Sequence, residues 1–244
     1  MPYLPGGKSA TLFHFCLRYP VVAIVMVVLV LSGFISQFHK EPCNGIVTLA
    51  FDGGYKSVIE RALPLMNKYG YKGVVYATTG FIDTPGYMTW EDLLYLQSHK
   101  WEIGSFTVTA PDLTELNEQQ VQFEIVVSKK MLESHGVNVQ SFASPYGRYN
   151  NYVVDVARQY FSSHRTLIPG LNTLPLDEKS RYIIKAVSVE DFSLEKLQHW
   201  ILQAKQKKQW LVLVFGDIDD QTEQKLRALL KFLHNQGFKQ LSFI

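Results

Sequence analysis

The chain has 244 residues, an apolar fraction of 47% and a formal net charge of +2. This length and composition predict one globular domain of about 200 residues or two small ones, and they exclude a disordered chain. Lys8 and Arg18 account for the excess charge, so the 22 remaining basic side chains face 22 acidic ones without a basic run, which argues against a nucleic-acid partner.

The first element along the chain is an apolar segment at residues 19–38, interrupted only by two serines and a glutamine. As a helix it would reach about 30 Å, the thickness of a hydrocarbon core, so we predict a transmembrane helix or signal anchor. A cleaved secretory signal, with Val30 and Ser32 as the small-residue pair, is the alternative. Basic residues before the segment predict a cytoplasmic N-terminus at 1–18, a single-pass membrane protein, and a body on the exported (periplasmic or extracellular) side.

A short linker at residues 39–44 leads into a body at 45–244, where apolar runs of strand length alternate with amphipathic segments of helix length. The apolar runs are GIVTLAF, KGVVYATT, WEIGSFT, SFASPYG, YIIKAVSV and WLVLVFG. Between them, Asn117 and Gln120 resemble a capping box, and Thr89 precedes an acidic first turn. Repeated strand–helix units with near-continuous apolar strands predict a parallel sheet that is covered on both faces.

About seven such units fit an irregular, closed or nearly closed (β/α) barrel better than an open sheet. The stretch HRTLIPGLNTLPLDEKSR, from His164 to Arg181, is predicted to be the one long irregular loop. In a barrel of this kind, chemistry gathers at the carboxyl ends of the strands.

Four of the predicted strand ends carry distinctive sequences: AFDGG, GSFTVTAPDL, SPYGRYN and LVFGDID. Their order, spacing and flanking residues resemble the polysaccharide deacetylase family, the NodB homology domain of carbohydrate esterases, over essentially all of residues 45–244. The resemblance implies a deacetylase-like barrel. It also implies hydrolysis of an acetamide with the help of a divalent ion, zinc or another, that is held by one Asp and two His.

The metal positions of the family can be carried over one at a time. In LAFDGGYKS, Asp52 matches the acid that the family uses as general base, and Gly53 stands where the second acid would bind metal. In GSFTVTAP, which is similar to the family's G-S-H-T-x-x-H-P, Phe106 and Ala110 stand at the two histidine ligands. Three ligand positions therefore lack a donor, and we predict that the family's divalent ion is lost and that no cofactor is bound.

The remaining catalytic positions show the same contrast. Tyr146 in PYG matches the tyrosine whose backbone N–H faces the oxyanion, and with Tyr149 it is a candidate for substrate binding. Gly216 stands where the strand normally ends in the general-acid histidine. Arg165 and Asn172 resemble framework positions of the family. The scaffold of each motif is kept while the reactive groups are absent.

These residues lead us to predict a membrane-tethered, exported deacetylase-like pseudoenzyme of carbohydrate metabolism. It would lack metal-dependent hydrolysis and act as a glycan-binding or scaffold module, with a polysaccharide or a partner enzyme as its partner. The alternative is an active hydrolase of C–N amide bonds, a de-N-acetylase of a cell-surface polysaccharide, with a site rearranged around Asp52 and with Asp217 or His164 as ligands. A barrel glycosidase would need a second carboxylate across a cleft from Asp52.

Structural roles are also open for the retained residues. Asp52 would cap the following helix through its carboxylate, and Tyr146 would fix a turn by aromatic packing. The acid-rich DIDDQTE segment precedes a helix, where capping is favoured over a binding site. A glycan groove would expose Tyr146, Tyr149 and Tyr152, whereas a scaffold would expose an apolar patch of several hundred Å².

Overall fold

The computed structural model describes residues 45–238, which form a seven-stranded sheet. The strands are β1 (Ile46–Gly53), β2 (Val74–Ala77), β3 (Glu102–Ser105), β4 (Val139–Ala143), β5 (Ser163–Arg165), β6 (Val187–Ser188) and β7 (Trp210–Phe215). Their order is β5-β4-β3-β2-β1-β7-β6, and every pairing is parallel. The predicted transmembrane segment lies outside the described residues, and within them no helix is long and apolar enough to cross a membrane.

The sheet curls far enough for its two edges to make one local contact. Ile184, just before β6, accepts a hydrogen bond from the Thr166 backbone N–H (2.9 Å) and donates one to the His164 carbonyl (3.0 Å). This contact makes a single parallel bridge between Arg165 and Ile184 in place of a regular strand pair. The predicted α/β architecture with about seven parallel strands is confirmed, in the form of a curled half-barrel.

Helices follow most of the strands. They are α1 (Leu63–Asn67), α2 (Trp90–Ser98), α3 (Glu118–Gln122), α4 (Ser128–Ser134), α5 (Asn151–Tyr160), α6 (Glu178–Arg181), α7 (Leu194–Lys207) and α8 (Asp220–Asn235). A π-helical turn, Val58–Ala62, runs into α1, and another, Phe123–Val127, joins α3 to α4. Both predicted N-terminal signals are confirmed, because Thr89 and Asn117 each form a reciprocal capping box.

Alternation along β1 divides its side chains between two apolar clusters. Val47, Leu49 and Phe51 belong to the large core between the sheet and the helices, whereas Ala50 belongs to a smaller cluster on the inner side of the half-barrel. Successive strand residues point to opposite faces, so Asp52 shares the inner side with Ala50. The fold therefore directs Asp52 into the half-barrel at the carboxyl end of β1.

The prediction of an irregular loop from His164 to Arg181 is wrong for its first two residues. Residues Ser163–Arg165 form β5, which pairs in parallel with β4. This strand is short and its three residues are polar, so it has none of the apolar run that marks the other strands. Its position at the sheet edge brings Arg165 into the half-barrel.

Candidate functional site

Asp52 and Arg165 form an ion pair on the inner side of the half-barrel. Arg165 Nη2 donates a hydrogen bond to Asp52 Oδ1 at 2.5 Å, and the side chains of Arg165 and Asp52 are 0% and 13% exposed. Burial raises the pKa of Asp52, the Arg165 cation opposes this rise, and the carboxylate of Glu190 adds to it. The helix-capping role considered for Asp52 is wrong, because the next helical turn begins at Ser57 without a side-chain cap.

Asp52 is the one charged hydrogen-bond partner that the described part of the chain offers the guanidinium of Arg165. The Nε and Nη1 atoms of this guanidinium have no hydrogen-bond partner among the groups of residues 45–238, and its centre lies 5.1 Å from the ring centroid of Tyr76. A buried cation is costly unless it is paired. Asp52 therefore has a structural task that holds whether or not it acts as a base.

The position of the family's second acid is blocked in this chain. Gly53 has a φ of +96°, and a Cβ atom placed on it would lie 2.6 Å from Cε2 of Tyr55. The Tyr55 ring stacks on Tyr87 with the ring centroids 5.0 Å apart. An aromatic ring thus fills the space in which an acid side chain at residue 53 would begin.

The loop after β3 carries the two positions of the family's histidines. Phe106 is 9% exposed and lies in the inner apolar cluster, with Ala110 packed against it. The loop backbone is held by Glu124, whose carboxylate accepts hydrogen bonds from the N–H groups of Val108 (2.8 Å) and Thr109 (2.9 Å). The loop backbone is therefore held in place, and at the two histidine positions it carries the phenyl group of Phe106 and the methyl group of Ala110.

Gly216, which stands at the position of the family's general-acid histidine, lies beside the carboxylate of Glu190. Glu190 was not among the residues predicted from the sequence. A Cβ atom placed on Gly216 would lie 3.0 Å from Oε1 of Glu190. Glu190, Asp217 and Asp219 line a cavity of about 360 Å³ together with Lys225. The signal for Glu190 was its place directly after the apolar run YIIKAVSV, which is another strand end.

The side chains at these positions do not fit a divalent ion. Gly53, Phe106 and Ala110 carry no donor atom, and a zinc site needs three or four. Within residues 45–238, no three His, Cys, Asp or Glu side chains converge on one point. Asp52 alone is too few ligands, and it is already paired with a cation.

The substitute ligands considered for an active enzyme are engaged elsewhere. Asp217 accepts a hydrogen bond from Ser57 Oγ at 2.5 Å. His164 is fully buried, and its Nδ1 donates to the Tyr182 carbonyl (2.9 Å), which leaves Nε2 to accept from Ser144 Oγ (2.7 Å). Neither imidazole nitrogen is available to an ion beside Asp52.

The buried imidazole of His164 gives a prediction for stability against pH. Burial lowers its pKa from 6.5 to about 4, against the effect of the Tyr182 carbonyl. Between these values the unfolded chain binds a proton that the folded chain does not. We therefore expect the free energy of unfolding to be highest above pH 6.5 and to fall by about 3 kcal/mol as the pH drops to 4.

Urea unfolding at a series of pH values measures this slope. The His164→Gln variant should lose most of the slope between pH 6.5 and 4, because the titrating group is gone. The His199→Gln variant, at an exposed position on α7, is the matched control and should keep it. An unchanged slope in His164→Gln would show that another group titrates.

The three tyrosines considered for glycan contact differ in exposure. Tyr146 is 67% exposed, has a φ of +56° and lies in the 3₁₀ segment Pro145–Gly147. Tyr149 is half-buried and meets the edge of the His164 ring, while the Tyr152 hydroxyl accepts a hydrogen bond from a neighbouring glutamine. Tyr146 presents most of its ring to solvent, and substrate contact by Tyr146 and Tyr149 stays a prediction.

Comparison with known proteins identifies the family to which the chain is similar. Residues 39–161 match the family model described as polysaccharide deacetylase. YxkH of Bacillus subtilis (strain 168), assigned by name to the same family, is 30% identical over 121 residues, which cover 49% of this chain and 43% of YxkH. The chain thus matches less than half the length of this curated relative.

Two solved structures illustrate the similarity of the fold. BC0361, a polysaccharide deacetylase from Bacillus cereus, is 21% identical with a TM-score of 0.57 over 63% of this chain and 50% of its own. A BA3943 mutant, described as a CE4 family pseudoenzyme with restored enzymatic activity, is 18% identical with a TM-score of 0.56 over 80% of this chain and 65% of its own. At these identities, both establish a shared fold.

Proposed function

This chain belongs to the polysaccharide deacetylase family, and we propose that it is a member without metal-dependent hydrolysis that binds a cell-surface glycan. The proposal rests on the residues at the three metal-binding positions of the family, none of which carries a donor atom. Gly53 is covered by Tyr55, and the anchored loop after β3 presents Phe106 and Ala110. Without the ion, an acetamide carbonyl loses a stabilisation of several kcal/mol in the transition state.

The description of BA3943 as a pseudoenzyme supports the idea that this fold can exist without activity. The exposed ring of Tyr146 supports glycan binding over a purely structural role, since aromatic faces at strand ends are suited to stack on sugar rings. We also propose that the apolar segment at 19–38 tethers the domain to a membrane on its exported side. The alternative to glycan binding is that the domain acts as a scaffold for a partner enzyme.

Metal content and acetate release test the loss of hydrolysis. The purified full-length chain should contain zinc well below one ion per chain after incubation with zinc. It should release no acetate from N-acetylglucosamine oligomers above the buffer rate, with or without a chelator. Stoichiometric zinc together with chelator-sensitive acetate release would overturn the proposal.

A further inference from the structure

The chain enters the described domain at the end of the sheet where the strands begin. Gly45, the residue before β1, packs against the end of α7, since a Cβ atom on it would lie 2.4 Å from the carbonyl oxygen of Ala204. The N–H of Ile46 donates to the carbonyl of Gln209, directly before β7, at 3.1 Å. The segment at residues 39–44 therefore joins the domain beside the starts of two neighbouring strands.

Lysines lie on both sides of this entry point. In the sheet, β1 lies between β2 and β7, and β3 is the next strand after β2. The loops that lead into β2, β3 and β7 carry lysines and no acid. Together with the last residue of α7 they supply five cations, which we call the lysine face: Lys68, Lys72, Lys100, Lys207 and Lys208. Adjacent strands lie about 4.8 Å apart, so these four strand starts span roughly 15 Å.

No ion pair within residues 45–238 engages the lysine face. Its side chains are exposed, apart from the half-buried Lys72. Two acids near this end of the strands make contacts inside the domain. Glu102 accepts a hydrogen bond from the Ser141 hydroxyl, and Asp177 accepts one from the Ser180 N–H at 2.6 Å. The lysine face therefore presents its cations to an external anion.

The opposite end of the same four strands carries the reverse charge. The loops after β1, β2, β3 and β7 hold one lysine, Lys56, which pairs with Asp92. Against it stand five acids: Asp83, Asp112, Glu115, Asp217 and Asp219. Helix dipoles favour part of this pattern, and the result is a domain that is polarised along its strands. A negative surface attracts the end at which the chain enters and repels the end that carries Asp52.

We propose that the lysine face docks on a bilayer that contains anionic phospholipids. This inference rests on the membrane tether that we propose for residues 19–38. A linker of six residues, 39–44, reaches about 20 Å when fully extended, so the tether keeps the lysine face near the bilayer. The attraction between lysines and anionic headgroups then acts over a Debye length of about 8 Å and sets the orientation of the domain.

This orientation turns the candidate site away from the lipid. Asp52 is the residue before the last one in β1, and Tyr146 follows β4, so both stand at carboxyl ends of strands. The lysine face stands at the opposite ends. The proposed glycan therefore reaches Asp52 and Tyr146 from the side of the domain that is remote from the bilayer.

Chemical labelling of lysines in the full-length chain tests this orientation. The chain is reconstituted into vesicles of phosphatidylcholine alone or with phosphatidylglycerol added, and a membrane-impermeant acylating reagent labels the outward-facing domains. Lys207 and Lys196 are a matched pair, because both are exposed and they lie near opposite ends of α7. In the anionic vesicles we expect Lys207 to be acylated at least threefold more slowly and Lys196 at an unchanged rate. Added salt should remove the difference.

A charge variant tests whether the lysines act together. Lys207→Gln/Lys208→Gln should return the acylation of Lys100 in anionic vesicles toward its rate in neutral ones, because the attraction is weaker. Lys196→Gln is the matched control and should leave the slow acylation of Lys100 unchanged. Slow acylation of Lys100 that persists in the double variant would contradict the docking.

Flotation with the vesicles separates the docking from the tether. If the chain floats with neither kind of vesicle, the proposed tether fails and this inference fails with it. If the chain floats but Lys207 is acylated at the same rate in both vesicles, the docking is overturned and the tether stands. The same conclusion holds if Lys196 is slowed as much as Lys207.

Discussion

Reinstalling the family's metal donors in this chain should fail as long as Tyr55 is in place. We expect Gly53→Asp/Phe106→His/Ala110→His to bind zinc at least 100-fold more weakly than the same variant with Tyr55→Ala added. The φ of +96° at Gly53 strains both variants alike, and the difference between them is steric, because a Cβ on Gly53 would lie 2.6 Å from a Tyr55 ring atom that stacks on Tyr87. The third donor then cannot reach the ion, and two histidines alone make an incomplete zinc site.

The backbone of the loop after β3 should accept the new histidines. Ala110 has a φ of +56°, in the left-handed region that histidine tolerates better than most residues. Titration with zinc against a competing chelator measures the affinities, and Tyr55→Ala alone is the control that should bind no zinc. Equal zinc affinity with and without Tyr55→Ala would show that the ring is not the obstacle.

The second large effect is expected from the buried ion pair. Asp52→Ala should lower the free energy of unfolding by about 3–5 kcal/mol, because it leaves the guanidinium of Arg165 buried beside the Tyr76 ring without a counter-ion or a hydrogen-bond acceptor from residues 45–238. The double variant Asp52→Ala/Arg165→Met should recover most of the loss, since it removes both charges. The raised pKa of Asp52 is consistent with this recovery. It means that the cost of burying the carboxylate is larger than its attraction to the Arg165 cation.

Urea unfolding of the two variants and of Arg165→Met completes a double-mutant cycle. If Asp52→Ala does not fold, recovery of a cooperative transition in the double variant is the deciding observation. A loss below about 1 kcal/mol in Asp52→Ala would contradict a structural role for the pair. Such a small loss would favour a role for Asp52 in binding or catalysis.

Local signals in the sequence predicted most of the fold. The apolar runs located strands such as β1 and β7, and the caps at Thr89 and Asn117 were correct because capping depends on residues within one turn. The strand Ser163–Arg165 was missed, since three polar residues at a sheet edge have no apolar periodicity. Its identity as a strand follows from pairing with β4, which is a tertiary contact.

The sequence located positions such as Gly53 and Gly216, but it did not predict which side chains pack over them. Asp52 and Arg165 are 113 residues apart, so no spacing rule joins them. The ring of Tyr55 over Gly53 and the carboxylate of Glu190 over Gly216 depend on how three loops meet at the strand ends. The membrane segment at 19–38 stays a prediction.

The carboxylate of Glu124 holds the loop after β3 in its conformation, although Phe106 and Ala110 in this loop carry no metal-binding atom. This carboxylate ties down two successive amides, and its Oε1 accepts from the Thr109 hydroxyl at 2.7 Å. In metal-templated domains, withdrawal of the ion dismantles the polypeptide around it. Here an internal acid supplied by the chain itself holds the loop, so we expect the loop after β3 to keep its conformation in the presence of a chelator.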